Sequence, residues 1–172
     1  MIEVYDDIMP RSYNKLLNEI VTHMSFEWHY LHDVTYETLG KEGVNVPGFT
    51  HLLYQDGEGG PHVNTFYPPL AEYLDIKGQE ISKLHRIRLG CLLSNNTGVN
   101  NKHVDFPFPH KVGLYYINDS DGPTYVWTPD GLEEVLPKKN RLVVFDGKYE
   151  HASSCPKDSP SRFVCTYNFT AK

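Results

Sequence analysis

Two rhythms of apolar residues divide the chain near residue 80. Residues 11–24, RSYNKLLNEIVTHM, repeat apolar side chains every three or four positions. This places Leu16, Leu17, Ile20, Val21 and Met24 on one face of a predicted helix, with Ser12 placed to cap its start. A second short helix fits PPLAEYLDIKG, with proline at its front and Gly78 past its end. Between them lies a loop-rich stretch, with Gly and Pro at 43–48 and 57–61 and a strand-like FTHLLY at 49–54. Beyond residue 80 the pattern shifts to strands. It predicts them at 84–93, 99–104, 111–118, 123–127, 132–136, 141–146, 149–153 and 161–169. Asn95-Asn96, Asp121-Gly122, Asp130-Gly131, Asp146-Gly147 and the run from Lys157 to Pro160 mark turns between them. Such a succession of short antiparallel strands predicts a mainly β domain over 1–172. Residues 1–80 would give helical support and pocket loops, and 81–170 a jelly-roll core, a double-stranded β-helix.

Composition narrows the class. A chain of 172 residues fits one core, and 40% hydrophobic with 13% aromatic residues predicts a packed fold. The formal charge of -6 argues against non-specific binding to nucleic acid or an anionic membrane. The densest basic cluster, Lys138, Lys139 and Arg141, reads as a solvated strand end. No run approaches the length of a membrane-spanning helix, and MIEVYDDIMP lacks the features of a signal peptide. Cys91, Cys155 and Cys165 are odd in number and loosely spaced, so they predict core or near-site thiols in a reducing, cytoplasmic setting rather than a disulfide framework.

Chemistry enters at NNKHVDFPFPHK. On extended backbone, residues two apart share a face, so His103 and Asp105 can bind one ion together. The third ligand must come from elsewhere, and His151 in FDGKYEHASS, just beyond an Asp-Gly turn, is the candidate. Two imidazoles and one carboxylate form a facial triad that leaves coordination positions open, as non-haem Fe(II) requires for a co-substrate and O₂. Structural zinc sites instead close their coordination sphere, usually with cysteines. His23, His29, His32, His51, His62 and His85 lack a matching carboxylate and read as bystanders, although His29 and His32 would share a face if helical. His110 follows the pair closely and is a candidate for the pocket mouth.

The final strand, SRFVCTYNF, places Arg162, Val164, Thr166 and Asn168 on one face. An inward Arg162 needs a partner, and a dicarboxylate ligand supplies one through a bidentate contact. Thr166 adds a hydroxyl on that face. In HKVGLYYIND, Tyr115 and Tyr116 point to opposite faces, and one of them should reach the pocket.

Taken together, HVD, YYIND with DGPT, FDGKYEH and SRFVCTYNF resemble the 2-oxoglutarate/Fe(II) oxygenase superfamily. The nearest branch is the prolyl-hydroxylase-like group, with its small stand-alone bacterial and phage members. The resemblance covers roughly residues 84–170 and implies a cupin-like jelly roll. It implies Fe(II) on His103, Asp105 and His151, and the distal carboxylate of 2-oxoglutarate on Arg162 with Thr166. Tyr116 matches the co-substrate tyrosine, and Thr124 matches the threonine of a GGxT element that reads DGPT here. It further implies ascorbate as an auxiliary reductant, and a peptide, protein or small-molecule substrate hydroxylated with O₂, succinate and CO₂ being the co-products. Related halogenases lack the carboxylate that Asp105 supplies, so hydroxylation is the expected outcome. A peptidyl proline is the first substrate candidate, and a free amino acid or small metabolite the next. The sequence departs from many members at Leu93, near where a tyrosine is usual, and in a longer spacing from His151 to Arg162. Two rival readings are a non-catalytic jelly-roll binding module, for which Phe106, Phe108 and Trp127 would serve, and a zinc hydrolase. The hydrolase needs a general base, and Glu150 should point away from His151. Asn100, Asn101 and Lys102 are candidates to meet a peptide, Trp127 to stack on a proline, and loops 26–64 and 94–110 to shape the entrance.

Overall fold

The computed structural model describes residues 1–34, 46–95 and 97–172. Parts of the predicted entrance loop, the 43–48 turn and the Asn95-Asn96 turn therefore lie outside the described residues. In chain order the elements are β1 (Glu3–Tyr5), α1 (Arg11–Thr22), β2 (His29–Leu31), β3 (Gly48–Gln55), β4 (Glu58–Gly59), α2 (Val63–Phe66) and α3 (Pro68–Lys77). They continue with β5 (Ile81–Leu93), β6 (Lys111–Tyr116), β7 (Thr124–Thr128), β8 (Gly131–Val135), β9 (Arg141–Asp146), β10 (His151–Ser153) and β11 (Ser161–Ala171).

All pairings are antiparallel. A large sheet runs β1-β9-β6-β11-β5-β3-β2, with β4 hairpinned onto β3, and a small sheet runs β10-β7-β8. The two sheets form the jelly-roll core, and α1, α2 and α3 cover the outer face of the large one. The period-two split of β11 sets this layering. Cys165, Tyr167 and Phe169 join Leu17, Phe66, Leu70 and Tyr73 in the core under the helices. Val164 turns instead to a second core between the sheets, with Val112, Leu114, Tyr116, Val126 and Val143. Burying a side chain of this size contributes roughly 1.5–3 kcal/mol.

Helix α1 is anchored by a narrower stripe than its periodicity predicts. Leu17 and Val21 are buried, whereas Leu16 and Met24 are exposed, and the helix ends at Thr22. Its seam is completed by Asn14, whose Nδ2 donates to the Tyr115 hydroxyl (3.0 Å) and the Ile117 carbonyl (3.1 Å). Ser12 does not cap it, because Pro10 occupies that position without a side-chain bond. Helix α3 ends as expected, with Gly78 in the left-handed region (φ 59°) that glycine adopts without strain.

Three expectations change. First, the half before residue 80 gives strands as well as helical support, since β1 to β4 all join the large sheet. The strands the pattern missed, β1, β2 and β4, are three residues or shorter, too short to show an alternation. Second, His29 lies in β2, so it shares no helical face with His32. Third, residues 99–104 form no strand. They run beside β10 through two isolated bridges, Val99 with Ser154 and His103 with His151. The Asn-rich segment has low strand propensity, and Pro107 and Pro109 follow it.

Candidate metal centre and anion pocket

The two bridges decide the geometry. Because His103 and His151 exchange backbone bonds in both directions (3.0 and 2.9 Å), their side chains lie on the same face. Their ring centroids are 4.7 Å apart. Asp105 follows two residues on, and the ligating atoms of the three residues all lie within 4.8 Å of one another. The Asp105 Oδ2 to His151 Nε2 distance is 3.8 Å.

Both imidazoles are oriented from behind. His103 Nδ1 faces the Asn101 carbonyl and His151 Nδ1 faces the Tyr149 carbonyl, each at 3.2 Å. A carbonyl only accepts, so each Nδ1 carries the proton and each Nε2 presents a lone pair. Burial pushes His151 down to about 4, against the opposing pull of Asp105 and with His103 adding to it. It therefore stays neutral, as a metal ligand must.

Asp105 sits between two donors that the sequence reading did not assign to it. Arg86 Nη2 donates to Oδ1 at 2.6 Å and Asn168 Nδ2 to Oδ2 at 2.8 Å. Arg86 Nε also donates to Asn168 Oδ1 at 3.0 Å, closing a triangle across the register pair Arg86–Asn168 of β5 and β11. Burial works to raise the Asp105 pKa. Arg86, His151 and the Asn168 amide overturn it, leaving the carboxyl well below its ordinary range. Asn168 already lay on the inward face of the last strand. The matching signal for Arg86 was the RIR alternation of β5, which turns Arg86 and Arg88 to the same side.

The triad opens onto a cavity between the sheets that Arg88, Thr124, Ser153, Arg162 and Thr166 also line. Leu31, Val34 and Phe49 form an apolar wall to it. Arg162 is 3% exposed. Its Nη2 donates to Thr124 Oγ1 (2.7 Å), its guanidinium lies 5.5 Å from the Tyr116 ring centroid, and its Nε has no partner among the described residues. No acidic side chain among the described residues pairs with it. Burial lowers its pKa, with Tyr116 opposing. Of the two tyrosines, Tyr116 belongs to this side, donating to Thr124 Oγ1 at 2.7 Å from behind the cavity wall. Tyr115 faces the helices and donates to Asn140 Oδ1.

Other candidates fall elsewhere. Trp127 lies on the outer face of β7, with Lys102 Nζ 5.5 Å from its ring, so it is not placed to stack on anything in the cavity. Glu150 pairs with Lys102 at 2.6 Å and does not line the cavity. Asn100 is buried and bonded to Ser153, so it is not displayed to a peptide. His110 is buried among Phe106, Phe108 and Gly147 and does not line the cavity either. Leu93 is half exposed and faces away. The three cysteines are buried and unpaired with one another.

No protein-family model matches the chain, and no curated protein matches it in sequence. Solved structures are. A 2OG-Fe(II) oxygenase family oxidoreductase from Burkholderia pseudomallei superposes with a TM-score of 0.75 at 11% identity, covering 98% of this chain and 84% of that one. A prolyl hydroxylase from Trichoplax adhaerens, solved with a hypoxia inducible factor peptide fragment, gives 0.70 at 13% identity, covering 98% and 82%. The non-heme alpha ketoglutarate dependent epimerase SnoN from nogalamycin biosynthesis gives 0.64 at 12% identity, covering 98% and 77%. The fold of this chain is thus the one that these oxygenases share.

Proposed function

We propose that this protein is an Fe(II)- and 2-oxoglutarate-dependent dioxygenase that hydroxylates a C–H bond. The observation that carries the proposal is the meeting, in one cavity, of an N,N,O donor triad with a buried guanidinium that no acid among the described residues neutralises. Each half fits the group it would receive. Nε2 of His103 and His151 and Oδ2 of Asp105 would hold the iron, a three-donor set of the kind that leaves positions for further ligands. Arg162, with Thr124 and Tyr116 behind it and Thr166 on the same strand face, would hold the far carboxylate of the co-substrate. When bound, iron and 2-oxoglutarate supply the oxidising chemistry, with succinate and CO₂ as co-products.

The residues of the chain supply position and shelter. The Asn101 and Tyr149 carbonyls keep protons on the outer ring nitrogens of the ligands, and Arg86 with Asn168 keeps Asp105 charged and fixed in direction. The sheets exclude water around Arg162, which strengthens its hold on an anion. Among the described residues Asp105 is the only carboxylate lining the cavity. A hydrolase on this site would lack a general base, and a plain binding module would have no use for oriented imidazoles.

A peptidyl proline is the substrate we favour, since prolyl hydroxylases share the fold and the Leu31, Val34 and Phe49 wall suits an apolar ring. SnoN, an epimerase from nogalamycin biosynthesis, keeps a small metabolite as the second reading.

Anaerobic addition of Fe(II) and 2-oxoglutarate tests the class. A visible metal-to-ligand charge-transfer band is expected, and a folded protein without one overturns the proposal. Mass spectrometry across proline-containing peptides and metabolites, scoring gain of one oxygen atom, then identifies the substrate.

A further inference from the structure

Ser153 lies at the junction of both halves of the site. It is two residues beyond His151 on β10, so its side chain shares the inward face with that ligand. Across the small sheet it is registered directly opposite Thr124, the residue that accepts from Arg162. The flanking bonds from Ser154 N–H to the Pro123 carbonyl and from Trp127 N–H to the Glu150 carbonyl identify Ser153–Thr124 as a non-hydrogen-bonded pair. In such pairs the side chains are the closer of the two types, with Cβ atoms about 4.5–5.5 Å apart. Ser153, Thr124 and Arg162 all line the same cavity.

The hydroxyl is also aimed. Asn100 Nδ2 donates to Ser153 Oγ at 2.9 Å, and the Asn100 backbone N–H donates to the Ser153 carbonyl, also at 2.9 Å. With the Asn100 NH₂ as donor, one lone pair of Oγ is committed and the Ser153 proton points away from Asn100. No acceptor for it occurs among the described residues. Asn100 is itself 6% exposed, so this guide is fixed in the protein interior.

We infer that Ser153 is a further donor to the anion pocket, giving the far carboxylate of the co-substrate a hydroxyl bond beside those from Arg162, Thr124 and Thr166, with Asn100 as its positioning residue. This rests on the dioxygenase reading and deepens it. The pocket then selects a second carboxylate, rather than any 2-oxo acid, by donors that converge from two sheets.

Calorimetric titration of the Mn(II)-loaded protein tests it. A hydrogen bond to a charged group is worth about a tenfold change in affinity or more. Ser153→Ala is therefore expected to raise the Kd for 2-oxoglutarate about tenfold, with Mn(II) affinity unchanged. For 2-oxopentanoate, which lacks the second carboxylate, the variant and the parent protein should bind alike. Asn100→Ala should weaken 2-oxoglutarate in the same direction to a smaller extent. Equal affinity of Ser153→Ala and the parent protein for 2-oxoglutarate overturns the assignment. So does an equal loss for both oxo acids, or a joint loss with Mn(II), because either would mark a general disturbance of β10. If the parent protein binds Mn(II) but not 2-oxoglutarate, the dioxygenase reading itself fails and the role of Ser153 falls with it.

Discussion

At the scale of single residues, Arg162 and His103 make opposite predictions. Arg162 is a cation in an apolar setting with no acidic partner among the described residues, and its burial costs stability. Replacing a buried charge by a well-packed apolar group of similar length is often neutral or stabilising. Arg162→Met should therefore raise the stability of the ligand-free protein, by about 1 kcal/mol, while abolishing measurable 2-oxoglutarate binding. A fall in Tm would contradict the first half, and retained binding the second. His103→Ala should leave the fold intact and remove both metal binding and 2-oxoglutarate turnover. Turnover at the parent rate would remove His103 from the ligand set. The sequence made these residues visible because period two on a strand assigns faces. Alternation alone puts Arg162, Thr166 and Asn168 on one side of β11. It could not say that Asn168 touches Asp105, because that contact joins residues 63 positions apart. Trp127 was misplaced for a related reason. Its type suits a pocket, but its position in the alternation of β7 turns it outward.

Elements were legible where they were long. Strands β5, β6, β9 and β11 and helix α3 carry enough residues for their periodicity to show, whereas β1, β2 and β4 borrow their structure from neighbours. The segment at 99–104 shows the converse. It occupies a strand's place beside β10, yet its asparagines spend their hydrogen bonds on side-chain contacts such as Asn100 to Ser153. Close packing between connections matters as much as strand length. A Cβ built on Gly122 would lie 2.5 Å from the Ser154 carbonyl oxygen and 2.8 Å from Pro156 N, both backbone atoms that cannot yield cheaply. Gly122→Ala should therefore destabilise the protein by roughly 3 kcal/mol or more, and should disturb the Thr124–Ser153 pair next to it. Denaturant unfolding would reveal this as a lower midpoint, and an unchanged midpoint would mean that the 121–123 and 154–156 connections can separate.

For the molecule as a whole, charge contributes through a few ties at the rim. Asp6, just after β1, accepts from Arg141 (2.6 Å from Nε) and from Lys138 (3.1 Å). The basic cluster that read as a solvated strand end therefore holds the chain's first turn. Arg141, against some opposition from burial, and Lys138 lower the Asp6 pKa to about 2. An aspartate in an unfolded chain titrates near ~3.9. The tie is thus fully present above that pH and disappears as pH falls through about 2. Solvent reaches the pair, so its worth is below about 1 kcal/mol. Asp6→Asn should lower Tm by a small amount at neutral pH and by nothing once pH is well below ~2; a difference that persists there would point to a cause other than charge.

The order of strands in the large sheet has a consequence for how the chain can be made and divided. β11, at residues 161–171, is not an edge but lies between β6 and β5. A growing chain should therefore keep two half-sheets apart until β11 is free to pair, with closure as a single late event rather than strand by strand. The same arrangement makes the connection before β11 a natural place to cut. A fragment ending there should stay open and aggregation-prone, and an added β11 peptide should enter as a wedge with hydrogen-bonding neighbours on both sides.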